Sequence, residues 1–288
     1  MIGALPPGDT MQIERLAAFS DGAKGGNPAG VVIADRLPDP AIMQRTAREV
    51  GYSETVFAAP DGAGWQVRYF SPLAEVAFCG HATIALGAAL GQRFGAATYD
   101  LFLTQGKITV RADRDGDGWQ AMLTSPPTWS RVMPDSLSAV LCDYFSLTAG
   151  DLDPRMGPQL AHAGVLHGVL ALRDRGRLAD MDYPFDDLRD VMLAMGLTTI
   201  SLIWFASPTL IIARNAFPVG GVVEDPATGA AAAALGGLLV DQGWPLPTGR
   251  FIIRQGEDMD MPSVLHVQVT GTPGDPVQVS GRVRAIAT

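Results

Sequence analysis

The sequence has few cysteines, few charged side chains and no cluster of basic residues. Two cysteines among 288 residues, Cys79 and Cys142, do not make a disulfide framework, so no disulfide-stapled scaffold is expected. Only 18% of the residues are charged and 47% are hydrophobic, a composition that excludes a disordered chain. Thirty acids against 21 bases give a net charge of −9, so nucleic acid and anionic membrane are excluded as partners.

Long hydrophobic runs and targeting signals are also missing. The longest apolar stretch, residues 197–213, is interrupted by threonines, serines and Pro208, so it is too polar to span a bilayer. Residues 1–10 contain two prolines and an aspartate and precede the first basic residue, Arg15, which is not the pattern of a signal peptide. We therefore expect a soluble, cytoplasmic protein of one large or two smaller domains.

Short β-branched runs between turn residues dominate the chain. Residues 107–112 and 119–123 flank an Asp/Gly-rich segment and predict a hairpin. Residues 277–280 and 283–287 predict two further strands near the end of the sequence. Helical spacing is found in only five segments, which are residues 40–50, 81–93, 134–144, 185–195 and 228–242. Many strands and few helices predict an antiparallel or mixed α+β fold.

The sequence also resembles itself. Residues 79–87 align with residues 226–234 at an offset of 147, and each segment opens a helix of very small residues. Such a helix fits inside a curved sheet, so we expect two pseudo-symmetric lobes, residues 1–126 and 127–288, each a barrel-like sheet around a central helix. The last strand, at about 277–288, is expected to pack back onto the first lobe. A chance likeness of alanine-rich helices is the alternative.

Metal and nucleotide signatures are missing. The four histidines show no HExxH pairing, and neither GxGxxG after a strand nor GxxxxGK[ST] occurs. Asp113, Asp115 and Asp117 resemble the start of a calcium loop, but position twelve is Thr124 instead of glutamate. We therefore predict no metal and no cofactor.

Three segments place polar groups in apolar, turn-rich surroundings. Alternation puts Tyr52, Glu54 and Val56 on one strand face, where a partly buried carboxyl suits acid/base chemistry. His81 falls in the first turn of one small-residue helix, and Asp225 precedes the other. The start of a helix favours a bound anion such as a carboxylate. The structural alternatives are a solvent-facing strand carboxylate, a core histidine and an ordinary N-cap aspartate.

These residues carry a family resemblance. The blocks GNPA (residues 26–29), SET (53–55), FSPxxEVxFCGHAT (70–83) and EDPxTG (224–229) occur in this order. Together they resemble the phenazine biosynthesis PhzF-like isomerase family, over residues 12–287. The resemblance implies a diaminopimelate epimerase-like fold, a homodimer and a cofactor-independent proton shift on a small carboxylated substrate. The type reaction isomerises trans-2,3-dihydro-3-hydroxyanthranilate.

The resemblance also implies roles for individual residues. Glu54 is expected to move the proton, with His81 and Asp225 as its catalytic partners. The expected substrate-binding residues lie at the two helix starts and are Gly80, Ala82, Thr228, Gly229 and Ala230.

Three departures from the family pattern concern the substrate. Ala230 stands where many members have serine, and Asp260 and Met261 replace Gly-Arg in a segment resembling QGxxMGRPS. The alignment at offset 147 pairs Cys79 with Pro226, which disfavours an epimerase with two catalytic thiols. An amino-acid epimerase or racemase using Glu54 with Asp225 or His81 remains an alternative, as does a non-catalytic member that binds a small molecule or a protein.

Overall fold

Residues 12–104 and 106–287 are described by a computed structural model, and within them the chain forms seventeen strands and six α-helices. The first half contains β1 (Glu14–Ala18), β2 (Asn27–Ile33), α1 (Pro40–Val50), β3 (Glu54–Asp61), β4 (Gly64–Phe70), β5 (Glu75–Val76), α2 (Gly80–Phe94), β6 (Ala97–Leu103), β7 (Gly106–Asp115) and β8 (Gly118–Thr124). The second half contains β9 (Trp129–Val132), α3 (Asp135–Tyr144), β10 (Gln159–His162), β11 (Leu166–Leu172), α4 (Arg175–Ala179), α5 (Phe185–Met195), β12 (Leu197–Ser207), β13 (Leu210–Ala216), β14 (Glu224–Asp225), α6 (Gly229–Asp241), β15 (Arg250–Gln255), β16 (Ser263–Gln268) and β17 (Gln278–Ala285). No helix in these ranges is both long enough and apolar enough to cross a membrane.

Eight strands close into a barrel around α2, in the order β1, β2, β3, β4, β6, β7, β8, β17 and back to β1. We call this barrel and its helix the first lobe. The central helix is buried on every side from His81 to Gly91. Its small residues make this close packing feasible, because a Cβ added at Gly87 would lie 2.6 Å from Cγ2 of Val110.

A second curved sheet wraps around α6, and we call it the second lobe. Its strands follow the order β17, β16, β15, β13, β12, β11, β10, β9. The alanines, glycines and leucines of α6 are buried over almost the whole helix. A separate apolar cluster, to which α3, α4 and α5 contribute, lies on the outer side of this sheet. The predicted α+β fold with two sheets around central helices is therefore confirmed.

The lobes repeat one topology, but at a different offset from the predicted one. Strand β5 pairs with β4 as β14 pairs with β13, so that Glu75 lies opposite Phe70 and Glu224 opposite Ala216. Because α2 begins at Gly80 and α6 at Gly229, the halves are offset by 149 residues. The predicted offset of 147 is wrong, since it matched runs of alanine and glycine instead of helix starts.

The corrected offset changes the counterpart of Cys79. Cys79 and Thr228 are the N-cap residues of α2 and α6, so they are structurally equivalent. The predicted pairing of Cys79 with Pro226 is therefore wrong. A threonine carries no thiol, so a two-thiol epimerase stays disfavoured on the corrected alignment.

Strand β17 joins the two lobes. It pairs with β8 and β1 on the side of the first lobe and with β16 on the side of the second. The two strands predicted at 277–280 and 283–287 form one continuous strand. Gly281 lies in its middle, where the Cβ of a larger residue would lie 2.5 Å from Cδ1 of Phe19, so glycine lets the pairing with β8 continue. The predicted lobe boundary at 126/127 falls in the connection between β8 and β9.

Candidate active site

The starts of the two central helices meet between the lobes. A Cβ added at Gly80 would lie 3.6 Å from the backbone nitrogen of Ala230 and 3.7 Å from Cα of Gly229. The first N–H groups of a helix have no intrahelical partner, and they carry the positive end of its dipole. Two such ends, at Gly80 and Gly229, therefore converge on one place. This geometry suits a small anion.

Glu54 and His81 form the first-lobe side of this place. Helix α1 ends at Val50, and the left-handed backbone of Gly51 (φ +73°) turns the chain toward β3, whose first residue is Glu54. Oε2 of Glu54 lies 3.4 Å from Nε2 of His81, and the two side chains are 14% and 7% exposed. Glu54 shares its strand face with Val56, but the prediction that Tyr52 lies on the same strand is wrong, because β3 begins two residues later.

Asp225 faces this pair from the second lobe. Its Oδ2 accepts a hydrogen bond from the Thr228 hydroxyl at 2.5 Å, and its Oδ1 accepts one from Nδ2 of Asn27 at 2.8 Å. Burial raises the pKa of Asp225 from 3.8 to about 6, and the negative charge of Glu54 raises it further, whereas His81 and the two hydrogen bonds oppose the rise. Asp225 is therefore a carboxyl that changes charge close to neutral pH.

Asn27 connects the two sides, and sequence reasoning did not single it out. Its Nδ2 donates to Oδ1 of Asp225 and to the carbonyl of Ala227 at 3.0 Å, and it lies 3.2 Å from Nδ1 of His81. Asparagine is uncommon in strands, and Asn27 is only 1% exposed at the start of β2. The signal available in the sequence was its place in the GNPA block (residues 26–29), which carries the family resemblance.

Gln255 is the second residue that sequence reasoning missed. It ends β15 and is buried, and its Nε2 donates to the carbonyl of Asp225 at 2.7 Å and to the hydroxyl of Thr228 at 3.1 Å. Its Oε1 accepts from the backbone nitrogen of Thr228 at 3.3 Å. Gln255 thus holds the connection between β14 and α6 in place.

The predicted substrate-binding residues divide into two kinds. Gly80, Thr228 and Ala230 are partly exposed, whereas Gly229 and Ala82 are buried. Ala82 has no exposed surface, so its methyl group belongs to the core, and its backbone N–H lies in the first turn of α2 beside the Cys79 sulfur. Asp260 has a left-handed backbone (φ +58°), the conformation that the glycine of the family pattern would adopt freely.

Three side chains of the described part of the chain have donor atoms close enough to share a metal ion. The donor atoms of Glu54, Cys79 and His81 lie within 4.8 Å of one another. Burial raises the pKa of Cys79 well above its usual value, so the thiol keeps its proton at neutral pH. A metal ion would have to displace that proton. The absence of a metal and of a cofactor remains a prediction.

Comparison with known proteins decides the family. Residues 16–287 match the PhzC-PhzF family, described as phenazine biosynthesis-like protein. The chain belongs to this family. A protein of Deinococcus radiodurans, named as an uncharacterized isomerase, is 31% identical over 277 residues, which cover 92% of this chain and 90% of the relative. The resemblance read from the sequence is thereby confirmed.

Two solved structures agree with the fold of this PhzF-family chain. A PhzF-family phenazine biosynthesis protein of Bacillus anthracis has a TM-score of 0.86 and 22% identity, covering 97% of this chain and 98% of its own. A protein of Pseudomonas aeruginosa, described as a predicted epimerase, has a TM-score of 0.84 and 26% identity, covering 96% and 98%. The names of the relatives support an isomerase or an epimerase-like activity.

Proposed function

We propose that this PhzF-family chain is a cofactor-independent isomerase that moves a proton between two carbons of a small carboxylate-bearing substrate. The observation that carries the proposal is the pair of Glu54 and His81, which faces Asp225 at the convergence of two helix starts. A carboxylate that accepts and returns a proton needs a fixed position and a partly dry site, and Glu54 has both.

The substrate carboxylate would bind at the two helix starts. The backbone N–H groups at Gly80 and Gly229 would donate to it, and each helix end contributes about 0.3–1 kcal/mol, more when partly buried. This arrangement leaves Glu54 and Asp225 free for the carbon atoms of the same molecule. An acidic protein with a net charge of −9 gains little anion binding elsewhere on its surface.

The proton shift itself balances on the substrate and Glu54 alone. Glu54 takes a proton from one carbon, so that a C–H bond breaks and a carboxyl O–H bond forms, and the electron pair moves into the conjugated substrate. The same proton is then returned to a second carbon, and the carboxylate is regenerated. No group is oxidised or reduced, and His81 holds Glu54 through its Nε2 contact at 3.4 Å.

Asp225 supports a second candidate, an epimerase that exchanges a proton on opposite sides of one carbon. It approaches from the second lobe, and burial raises its pKa to about 6, a value suited to proton transfer near neutral pH. Isomerisation incorporates deuterium at a new carbon, whereas epimerisation incorporates it at the original carbon with inversion. Mass spectrometry with NMR of the product formed in D₂O separates the two.

The decisive test replaces Glu54. A thermal-shift screen of small hydroxy and amino carboxylic acids first identifies a ligand, because binding to the folded state raises the melting temperature. Glu54→Gln keeps the size and the hydrogen bonds of the side chain, so we expect ligand binding to persist and proton exchange with D₂O to fall about 10²–10⁴-fold. Glu49→Gln, at an exposed position of α1, is the matched control and should exchange at the parent rate.

A Glu54→Gln variant that binds the ligand and exchanges its proton as fast as the parent would refute the mechanism. Two other inferences are tested separately. A homodimer follows from the family resemblance and is measured by light scattering, and a cytoplasmic location is measured by cell fractionation. Neither outcome bears on the role of Glu54.

A further inference from the structure

The residues that begin the two central helices occupy equivalent positions. Cys79 precedes α2 and Thr228 precedes α6, and both have extended backbones with φ of −143° and −111°. Neither side chain caps its own helix. The Thr228 hydroxyl instead donates to Oδ2 of Asp225 at 2.5 Å, so it holds the acid/base candidate of the second lobe.

Cys79 contacts His81, which follows it in the first turn of α2. Its Sγ is 3.4 Å from Nδ1 of His81 and 3.9 Å from Nε2, and Nδ2 of Asn27 lies 3.2 Å from Nδ1. An amide NH₂ group only donates, whereas a thiol can donate or weakly accept, so these two neighbours alone leave the tautomer open. The carboxylate of Glu54 beside Nε2 is an acceptor, so we assign the imidazole proton to Nε2, and Nδ1 then accepts.

The hydrogen atoms of Asn27 are already engaged elsewhere. Its amide nitrogen has two of them, and its shorter contacts are with Oδ1 of Asp225 at 2.8 Å and the carbonyl of Ala227 at 3.0 Å. Both of these partners are acceptors only. The hydrogen bond to Nδ1 of His81 is then left to the thiol of Cys79.

On the opposite side of the ring, Nε2 faces two oxygens. Oε2 of Glu54 and Oγ of Ser53 each lie 3.4 Å from it. A proton on Nε2 is therefore directed at the carboxylate of Glu54. The orientation of that carboxylate depends in this way on the tautomer of His81.

We propose that Cys79 is a positioning residue, whose thiol donates to Nδ1 of His81 and thereby fixes the Nε2–H tautomer that holds Glu54. Thr228 donates directly to Asp225, whereas Cys79 acts on Glu54 through His81, so in both lobes the N-cap side chain supports the acid/base group. The catalytic role of this arrangement rests on the proposed function, whereas the tautomer of His81 is independent of that function. Burial keeps the thiol protonated, since it raises the pKa of Cys79 well above its usual value.

The test is NMR of protein labelled with ¹⁵N-histidine, recorded without any ligand. In the parent we expect His81 to show one unprotonated nitrogen, Nδ1, and one protonated nitrogen, Nε2, with well-separated shifts. Cys79→Ser retains a donor and should preserve this pattern. Cys79→Ala removes the donor, so the two shifts should converge as both tautomers become populated. Cys142→Ala removes the other cysteine, which lies in α3, and is the matched control that should leave His81 unchanged.

A parent spectrum with the proton on Nδ1 of His81 overturns the proposal, and so does a Cys79→Ala spectrum identical to that of the parent. If Cys79→Ala does not fold, the parent and Cys79→Ser spectra still decide the tautomer. Failure of the proposed function is recognised separately. In that case Glu54→Gln still exchanges substrate protons with D₂O, whatever the state of the His81 ring.

Discussion

Asp225 is a carboxyl whose burial has a measurable consequence for stability. Its pKa is about 6 in the folded protein because the side chain is removed from water, against 3.8 for an exposed aspartate. Between pH 4 and pH 6 the folded protein therefore binds more protons at this site than the unfolded chain does. The free energy of unfolding falls as the pH rises through that window.

Asp225→Asn removes this dependence. The free energy of unfolding of the variant, relative to the parent, should rise between pH 4 and pH 7 by up to about 3 kcal/mol, since each unit of pKa shift is worth about 1.4 kcal/mol. Urea unfolding of both proteins at several pH values measures the difference. A difference that stays constant over this range would contradict the assigned burial of the charge.

Asp260 replaces a glycine of the family pattern at a position with an unusual backbone conformation. It occupies a left-handed conformation (φ +58°) on an exposed turn, where the family pattern has glycine. Asp260→Gly should therefore leave the free energy of unfolding unchanged or raise it by up to about 1 kcal/mol. Asp260→Val, whose branched side chain opposes this conformation, should lower it by about 1–2 kcal/mol. Thermal unfolding monitored by circular dichroism compares the two, and an Asp260→Val variant as stable as the parent would exclude strain at this turn.

The sequence identified the acid/base candidates but not the residues that hold them. Glu54, His81 and Asp225 lie in short local motifs, whereas Asn27 meets Asp225 across 198 residues and Gln255 meets it across 30. A contact of this kind has no signature in neighbouring residues. The folding of the two lobes against each other brings Asn27 to Asp225, and the pairing of β14 and β15 with β13 in the second lobe brings Gln255 there.

Among the elements, helices with clear start and stop residues were predicted with their observed bounds. Helix α1 begins at Pro40 after Asp39 and ends before Gly51, and α5 ends before Gly196. Strand β1 was missed, because its sequence ERLAA consists largely of helix-favouring residues. Its pairing with β2 and β17 decides its conformation, so tertiary contacts outweigh local propensity there.

A substitution at Gly80, where α2 begins, should change ligand binding more than it changes the free energy of unfolding. A methyl group at Gly80 meets only ordinary contacts, the nearest at 3.6 Å, so Gly80→Ala should fold with a free energy of unfolding within about 1 kcal/mol of the parent. The same methyl group fills the gap between the two helix starts. We therefore expect the affinity for the carboxylic acid found in the thermal-shift screen to fall at least about 10-fold, or about 1.4 kcal/mol.

Gly87→Ala is the contrasting variant in the same helix. Its Cβ would lie 2.6 Å from Val110, deep in the barrel, so we expect a loss of about 1–3 kcal/mol in the free energy of unfolding. Titration calorimetry and urea unfolding of both variants provide the comparison. If Gly80→Ala binds the carboxylic acid as tightly as the parent, the substrate carboxylate does not sit between the helices.

For the molecule as a whole, β17 makes the two lobes one cooperative unit. It is one of the eight strands of the first barrel and also pairs with β16 of the second sheet. Unfolding of either lobe would therefore disrupt strand pairing in the other. Differential scanning calorimetry should show a single transition, with equal calorimetric and van 't Hoff enthalpies. Two resolved transitions would show that the lobes unfold independently.

The position of β17 in the sequence also sets the timing of folding during synthesis. About 150 residues lie between β8 and β17, although the two strands are neighbours in the barrel. At about 5–20 residues per second, a ribosome needs about 8–30 s to make that stretch. During this interval the apolar helix α2 is enclosed by only seven of the eight strands of the barrel. The nascent chain therefore exposes apolar surface and two unpaired strand edges, which makes it a client for chaperones until β17 emerges.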